Sequence, residues 1–556
     1  MLILPLATTG AFPLKAQDIA EMVKEKPVKF SGSLSAQAVA YTTSRERAAR
    51  DPFVWTLSGS PTLSVYGFQI PFSFTFSQRQ RDFTQPFNQF GMSPYYKWIK
   101  LYLGYRNVTY SRYTLAGHQF LGGGLEATPG NFRFGFVYGR FLKAVEDDSM
   151  QVDYVIPAFK RTGYSVKLGY GTQSNYVDLI LFHAKDDTSS IGRPDLEKGV
   201  LPAENLVAGI KTFQRLFKRL TLDLDFGYSV YTRNLYATEI DLPSVPLGPA
   251  VTALTTVNNS TWAGWAGNAS LSYTLKYMGI RLMYRRIEPE YQSMGAYFFT
   301  NDLEQITVNP SLYLFKRKLN LTGSIGYQRN NLADDKVENT FRRVNSLMVN
   351  LNPGQNLGIN ASWMNYRIEQ RRNPVIIRDF VDSLQMKQVS NNLSLNGNYA
   401  FGPSGLRHRI TAGAGYQAFD DRNPNTDILN SSRSLSPFLN YNLDIKAALL
   451  SVYARMNYNT YSTTGMSQDR LGFTLGGTKR LADEKLNLTV SGTHYTNRIE
   501  HESDGATMML RARVNYRIAK KHNFNLSLNY TDRNFRQDGK NNFNELLVRF
   551  GYSMRI

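Results

Sequence analysis

The sequence predicts an all-β protein, a single transmembrane antiparallel β-barrel of about 26 strands, with short periplasmic turns and long extracellular loops. Three observations carry this. Apolar and polar residues alternate over segments of about 10 to 15 residues, the period-two signature of a strand with two unlike faces. Those segments exceed the ~5–6 residues usual for soluble strands and match the ~9–11 tilted residues that cross a bilayer. Short turns and long polar loops take turns along the chain, the connection pattern of an outer-membrane barrel.

Composition narrows the alternatives. The 556 residues include 34 Tyr and 33 Phe, aromatics reach 13%, and charged residues are 19%. A disordered chain lacks such aromatic content. A helical membrane protein needs runs of about 18 apolar residues, and none is present. The absence of Cys excludes a disulfide scaffold and thiolate metal sites. Lys and Arg number 64 against 44 Asp and Glu, a formal net charge of +20.

The chain opens on MLILPLATTGAFPLKAQ, whose apolar stretch Leu2 to Leu14 is too short to span a bilayer and ends on a small residue, Ala16. Residues 1–17 are expected to be a signal peptide, truncated at its start because the usual basic opening is missing. Residues 18–27 are expected to be a short periplasmic segment, and 28–556 the barrel. Its strands are predicted at 28–42, 52–66, 69–79, 89–97, 100–108, 118–127, 131–142, 163–173, 176–185, 203–214, 218–233, 262–276 and 279–292. They continue at 303–315, 318–331, 340–353, 356–369, 385–401, 407–419, 433–445, 449–463, 467–480, 485–499, 507–519, 523–536 and 541–555. The region 80–118 keeps an even strand number only if it is split at Ile99. An even number puts both termini on the short-turn side.

The faces are plainest in three strands. Leu220, Leu222, Leu224, Phe226, Tyr228 and Val230 alternate with Thr221, Asp223, Asp225, Gly227 and Ser229. Leu510, Ala512 and Val514 alternate with Arg511, Arg513 and Asn515, and Leu526 and Leu528 with Asn525 and Asn529. Short turns fall at such places as Gly67-Phe68, Lys316-Arg317, Ala482-Asp483-Glu484 and Lys520-Lys521-His522. Longer loops are expected at 43–51, 143–162, 186–202, 234–261, 288–302, 330–339, 370–384, 420–432, 498–506 and 534–540. With ~4.8 Å between strands and a tilt of ~40°, 26 strands enclose a lumen about 50 Å wide, too wide for side chains to fill. Strand formation from residue 28 argues against a plugged transporter of the vitamin and siderophore class.

The segments PFNQFGMSPYYKW (86–98), LYLGYRN (101–107) and YTLAGHQFLGGGLEATPGNFRFGFVYGR (113–140) resemble the large plugless outer-membrane barrel proteins of Bacteroidota. The resemblance implies fold and compartment, the cell outer membrane. It carries no agreed active site. The unusually basic charge departs from the family.

Chemistry-bearing clusters are few. His118, His183, His408 and His522 are scattered, and His494, Glu500, His501, Glu502 and Asp504 share one hairpin. A polar loop tip explains that hairpin better than a metal site. No Ser, His and acid spacing assembles a triad. Gly122-Gly123-Gly124 lacks the strand–loop–helix context of a phosphate loop. No catalytic residue, metal site or cofactor is assigned, and no enzyme is expected.

Charge on the strands says more. Arg281, Arg285, Arg455, Arg511, Arg513, Arg517 and Arg549 all lie out of phase with the apolar residues beside them. A charge facing lipid costs ~2–4 kcal/mol at the midplane, so these arginines are predicted to line the lumen. Asp223, Asp225 and Asp444 share it. A basic lumen lowers the barrier for anions, or holds an acidic partner; pairing across strands is the competing reading. The expected function is a transport or secretion channel gated by loops 186–202, 234–261 and 370–384 or by protein partners in an outer-membrane complex. The alternative is a non-transporting scaffold that anchors surface or periplasmic proteins. Lipid and lipopolysaccharide are expected neighbours. No recognition module accompanies the charge, so nucleic acid is not expected.

Overall fold

The computed structural model describes residues 28–78, 89–146, 156–192, 199–240, 248–297, 300–372, 386–423, 431–536 and 542–556. The segments 1–17 and 18–27, and most of loop 370–384, lie outside the described residues.

Every strand pairs antiparallel with its neighbours, in 29 hydrogen-bonded segments that form one sheet. Three spans are each built from two segments, which leaves 26 strands. Val28–Ser31 runs into Ser33–Thr43 at Gly32, Phe53–Gly59 into Thr62–Val65 at Ser60-Pro61, and Gln89–Met92 into Tyr95–Tyr96 at Ser93-Pro94. The first two breaks face each other. A Cβ on Gly32 would sit 2.5 Å from the Ser60 carbonyl oxygen, and its φ of +137° lies outside the range of most L residues. The sheet closes on itself where Ser33–Thr43 pairs with Phe543–Arg555, from Ser33 opposite Arg555 to Thr43 opposite Glu545. Closure leaves no unpaired edge, the condition for a sheet in lipid.

Alternation does what the sequence indicates. Outward residues such as Leu282, Leu475, Val490 and Leu526 are exposed in an apolar band around the barrel, the surface a bilayer covers. No described helix is long and apolar enough to cross a membrane; the longest connection holds one short helix, Gly248–Thr252.

The split in 80–118 falls as expected, with Lys97-Trp98 turning between Tyr95–Tyr96 and Ile99–Thr109. One loop is corrected. The expected loop 498–506 is a tight hairpin at Glu500-His501, both with positive φ (50° and 68°), and the next strand begins at Glu502. Thr464-Gly465 is equally tight. Polar residues there mimic a loop because a strand that rises above the bilayer has no apolar face to keep.

Candidate functional site

The lumen is divided. Two connections from the long-loop side fold inward and meet: 110–115, between Ile99–Thr109 and Ala116–Ala127, and 288–297, after Met278–Ile287. Backbone carbonyls hold the junction. Tyr291 Oη donates to the Tyr113 carbonyl, Ser293 Oγ to that of Thr114, and the Ala116 amide to that of Gly295 at 2.9 Å. The Tyr113 and Tyr291 rings cross edge to face, 6.2 Å apart. Tyr297 stacks on His118 at 4.3 Å.

The wall behind anchors both loops. Asp225, buried at mid-strand, accepts from Ser111 Oγ (2.5 Å) and the Arg112 amide (3.0 Å). Asn205 accepts from the Met294 amide at 3.0 Å, and Ser229 donates to the Gln292 carbonyl at 2.6 Å. Two inward glycines make room. A Cβ on Gly227 would lie 2.7 Å from Tyr291 Oη, and one on Gly209 2.6 Å from Thr114 Cγ2.

The junction ties together the two ends of an eight-strand arc, from Ala116–Ala127 to Met278–Ile287. Eight strands make a barrel just wide enough for side chains to fill, and this arc is filled. Phe120, Val137, Phe141, Phe182, Val207 and Met294 are buried within it. Several of its inward charges are paired. Arg133 grips Asp178 through two bonds (2.6 and 2.9 Å), Arg161 grips Asp186 likewise (2.8 and 3.0 Å), and Lys167 meets Glu126 at 3.0 Å. On the outward face, in phase with exposed Leu179, His183 Nε2 and Lys185 Nζ both reach Glu204, at 2.8 and 3.0 Å.

The other eighteen strands keep an accessible inner wall, and barrels of 16–18 strands leave an aqueous channel. A recess of ≈ 770 Å³ opens on that wall, lined by Asn440, Asn457, Thr474, Ser491, Arg455 and Arg511 among others. Ser362 with Ser394 and Thr474 with Thr493 form hydrogen-bonded rungs across adjacent strands of that wall.

The seven predicted arginines separate between the two lobes. Arg281 donates to Ser270 Oγ at 3.0 Å and lies 4.0 Å from Asp223. Arg285 is half-buried beside Tyr113 and Arg112 of the inward loop. These two belong to the filled lobe. Arg455 and Arg511 line the open recess. Arg513 and Arg549 sit on either side of Ser527 in the register, and Arg517 stands opposite Asn523 near the short turns. Among the described residues, none of Arg455, Arg511, Arg513, Arg517 and Arg549 has a carboxylate within 4.0 Å.

The sequence reading missed the inward loops. In segment 234–261, expected as a gate, Thr252 to Val257 border a recess of ≈ 540 Å³ with Lys185 and Glu204. The available signal was glycine at the inward positions 209 and 227, which a strand in open water has no need of. Among the described residues, no three His, Asp or Glu side chains converge as metal ligands; His501 is a turn tip.

No protein-family model and no curated protein matches the chain. Among solved structures it is similar to the translocation pore of the P pilus usher (PapC), with TM-score 0.39 and 10% identity, over 95% of this chain and 99% of that one. It is also similar to OpdK of Pseudomonas aeruginosa with vanillate, with TM-score 0.31 and 11% identity, over 64% of this chain and 93% of that one. OprD of Pseudomonas aeruginosa gives TM-score 0.31 and 11% identity over 64% and 90%. The likeness is one of large barrel form and extends to no site.

Proposed function

We propose that the chain is an outer-membrane channel whose eighteen-strand lobe passes polar anionic solutes, while the eight-strand lobe is a structural buttress. One observation carries the reading: arginines that have no carboxylate partner among the described residues stand on a water-accessible inner wall rich in Asn, Ser and Thr. Like charges along Arg511, Arg513 and Arg517 repel and draw counter-ions from solution. Hydroxyl rungs and wall amides such as Asn440 and Asn457 exchange hydrogen bonds with a passing polar solute at little net cost, because water and solute present the same donors and acceptors. The outward apolar band and the closed sheet support the membrane placement. The leader, protein partners, the neighbouring lipopolysaccharide and the Bacteroidota resemblance belong to the same reading.

Reversal potentials in planar bilayers under a salt gradient test it. The open channel is expected to favour anions, with selectivity falling as the Debye length shrinks to ~3 Å at 1 M salt. Replacing Arg455, Arg511, Arg513 and Arg549 with Gln is expected to move the potential toward cations. Cation selectivity, or indifference to those substitutions, overturns the anion pathway. A correctly folded barrel without conductance supports the scaffold instead.

A further inference from the structure

The rim formed by the short connections has a chemistry that the lumen does not use. Among the described residues, the carboxylates in the twelve short connections are Asp483 and Glu484. Glu484 is held by Arg480 at 2.7 Å and Asp483 by Lys485 at 3.8 Å. Against them stand Lys218-Arg219, Lys276, Lys316-Arg317-Lys318 and Lys520-Lys521, all exposed. The opposite end holds buried acids: Asp186, Glu204 and Asp302 lie beside long connections, and Asp504 beside the hairpin at Glu500-His501. The barrel is therefore charged along its axis, positive at the rim that also carries Val28 and Ile556.

The rim cations share their turns with exposed aromatics. Phe217 precedes Lys218-Arg219 and is 87% exposed, and Phe315 precedes Lys316-Arg317-Lys318 and is 71% exposed. Lys276 Nζ lies 5.1 Å from the Tyr277 ring, and the Arg317 guanidinium 5.4 Å from that of Tyr313. Aromatic rings at such a depth sit in the interface between headgroups and acyl chains. Flexible basic side chains beside them then reach the phosphates.

We infer that this rim binds the phosphate headgroups of anionic phospholipids in the leaflet it faces. The inference rests on the membrane-spanning reading. Phospholipid fits better than an acidic protein because the cations occupy seven of the twelve short connections, around the circumference. A fluid annulus of headgroups meets a ring, whereas a folded partner meets one patch.

The test uses the purified full chain in vesicles of phosphatidylethanolamine, alone or mixed with phosphatidylglycerol. Lipid retained after gentle detergent extraction is quantified by mass spectrometry. Phosphatidylglycerol is expected to be enriched about fivefold over the bulk vesicle, and high salt is expected to erase the enrichment. The variant K218Q/R219Q/K316Q/R317Q is expected to lose most of it while keeping heat-modifiable gel mobility, because the changed side chains touch no packed interior. Lys218→Arg with Lys316→Arg is expected to retain it. Retained lipid of bulk composition, or equal enrichment in the Gln variant, overturns the inference. Capture of an acidic periplasmic protein by the rim, with no lipid preference, replaces it with a protein-docking surface. Failure to enter either vesicle defeats the membrane reading itself, a result distinct from insertion without enrichment.

Discussion

Strands 220–232 and 502–518 have the same alternation and opposite interiors. In the first, inward Asp225, Gly227 and Ser229 are buried under loops 110–115 and 288–297. In the second, inward Arg511, Arg513 and Arg517 are exposed. Where the filled lobe buries its acids, the cations hold them: Arg133, Arg161 and Lys167 each meet a carboxylate, while Arg285 is half-buried beside Tyr113 and Arg112. The open lobe is solvated around Arg511, Arg513 and Arg517, which stand apart at little cost. The lesson is that curvature and loop closure, not strand chemistry, decide whether an inward charge is structural or functional.

The sharpest way to break this comparison is to remove one arginine from each lobe. Arg161→Gln leaves Asp186, 4% exposed, without its bidentate partner, and is expected to cost about 3–5 kcal/mol. Arg513→Gln is expected to stay within about 0.5 kcal/mol. Urea unfolding in lipid measures both. Equal costs would mean that the lobes are hydrated alike.

A second test contrasts the two faces of the open lobe. Leu526 points outward, and Asn525 points inward opposite Gly551 and Asn515. Leu526→Arg is expected to cost about 2–4 kcal/mol and to reduce assembled barrel, while Asn525→Arg is tolerated. Heat-modifiable mobility after refolding reads the difference. Equal yields would mean that the register is wrong.

Glycine substitution sharpens the contrast further. A Cβ on Gly227 meets Tyr291 Oη at 2.7 Å and Tyr113 Cβ at 3.0 Å, whereas one on Gly415 meets nothing within 4 Å. Gly227→Ala is expected to cost about 1–3 kcal/mol by overpacking. Gly415→Ala is expected to be neutral or to stabilise by about 0.4–1 kcal/mol. A neutral Gly227→Ala would show that the inward loops are not seated on the wall.

The smallest expected effect lies at the seam between the lobes. Asp302 pairs with Lys336 and accepts from the amides of Asn331 (2.8 Å) and Leu332 (2.7 Å). Burial opposes its ionisation, yet these donors outweigh burial and hold its carboxyl below the ordinary range. A carboxyl depressed in the folded state stabilises above the unfolded value of ~3.9 and loses that contribution as pH falls through its folded value. Hydrogen exchange in 330–337 is expected to speed up below about pH 4, and Asp302→Asn is expected to abolish that pH dependence. Unchanged protection at low pH would remove Asp302 as the fastening.

Much of the barrel was legible in the residues because each strand reports its own two faces. Leu510, Ala512 and Val514 against Arg511 and Arg513 place a strand and orient it with no knowledge of its neighbours, since lipid penalises a charge on one side only. The split at Ile99 followed from parity. The hairpin at Glu500-His501 did not, because above the bilayer polar residues can occupy either face.

By itself, then, the sequence determined the strand number and the two faces of each strand, both products of period-two alternation in an anisotropic solvent. Only the tertiary structure decided which arginines are bound and which are free. That choice turns on Tyr113 meeting Tyr291 and Thr114 meeting Ser293, pairs separated by 178 and 179 residues. Contacts so distant in the chain leave no periodic trace, because they depend on the curvature of the eight strands between them, a property that no single strand encodes.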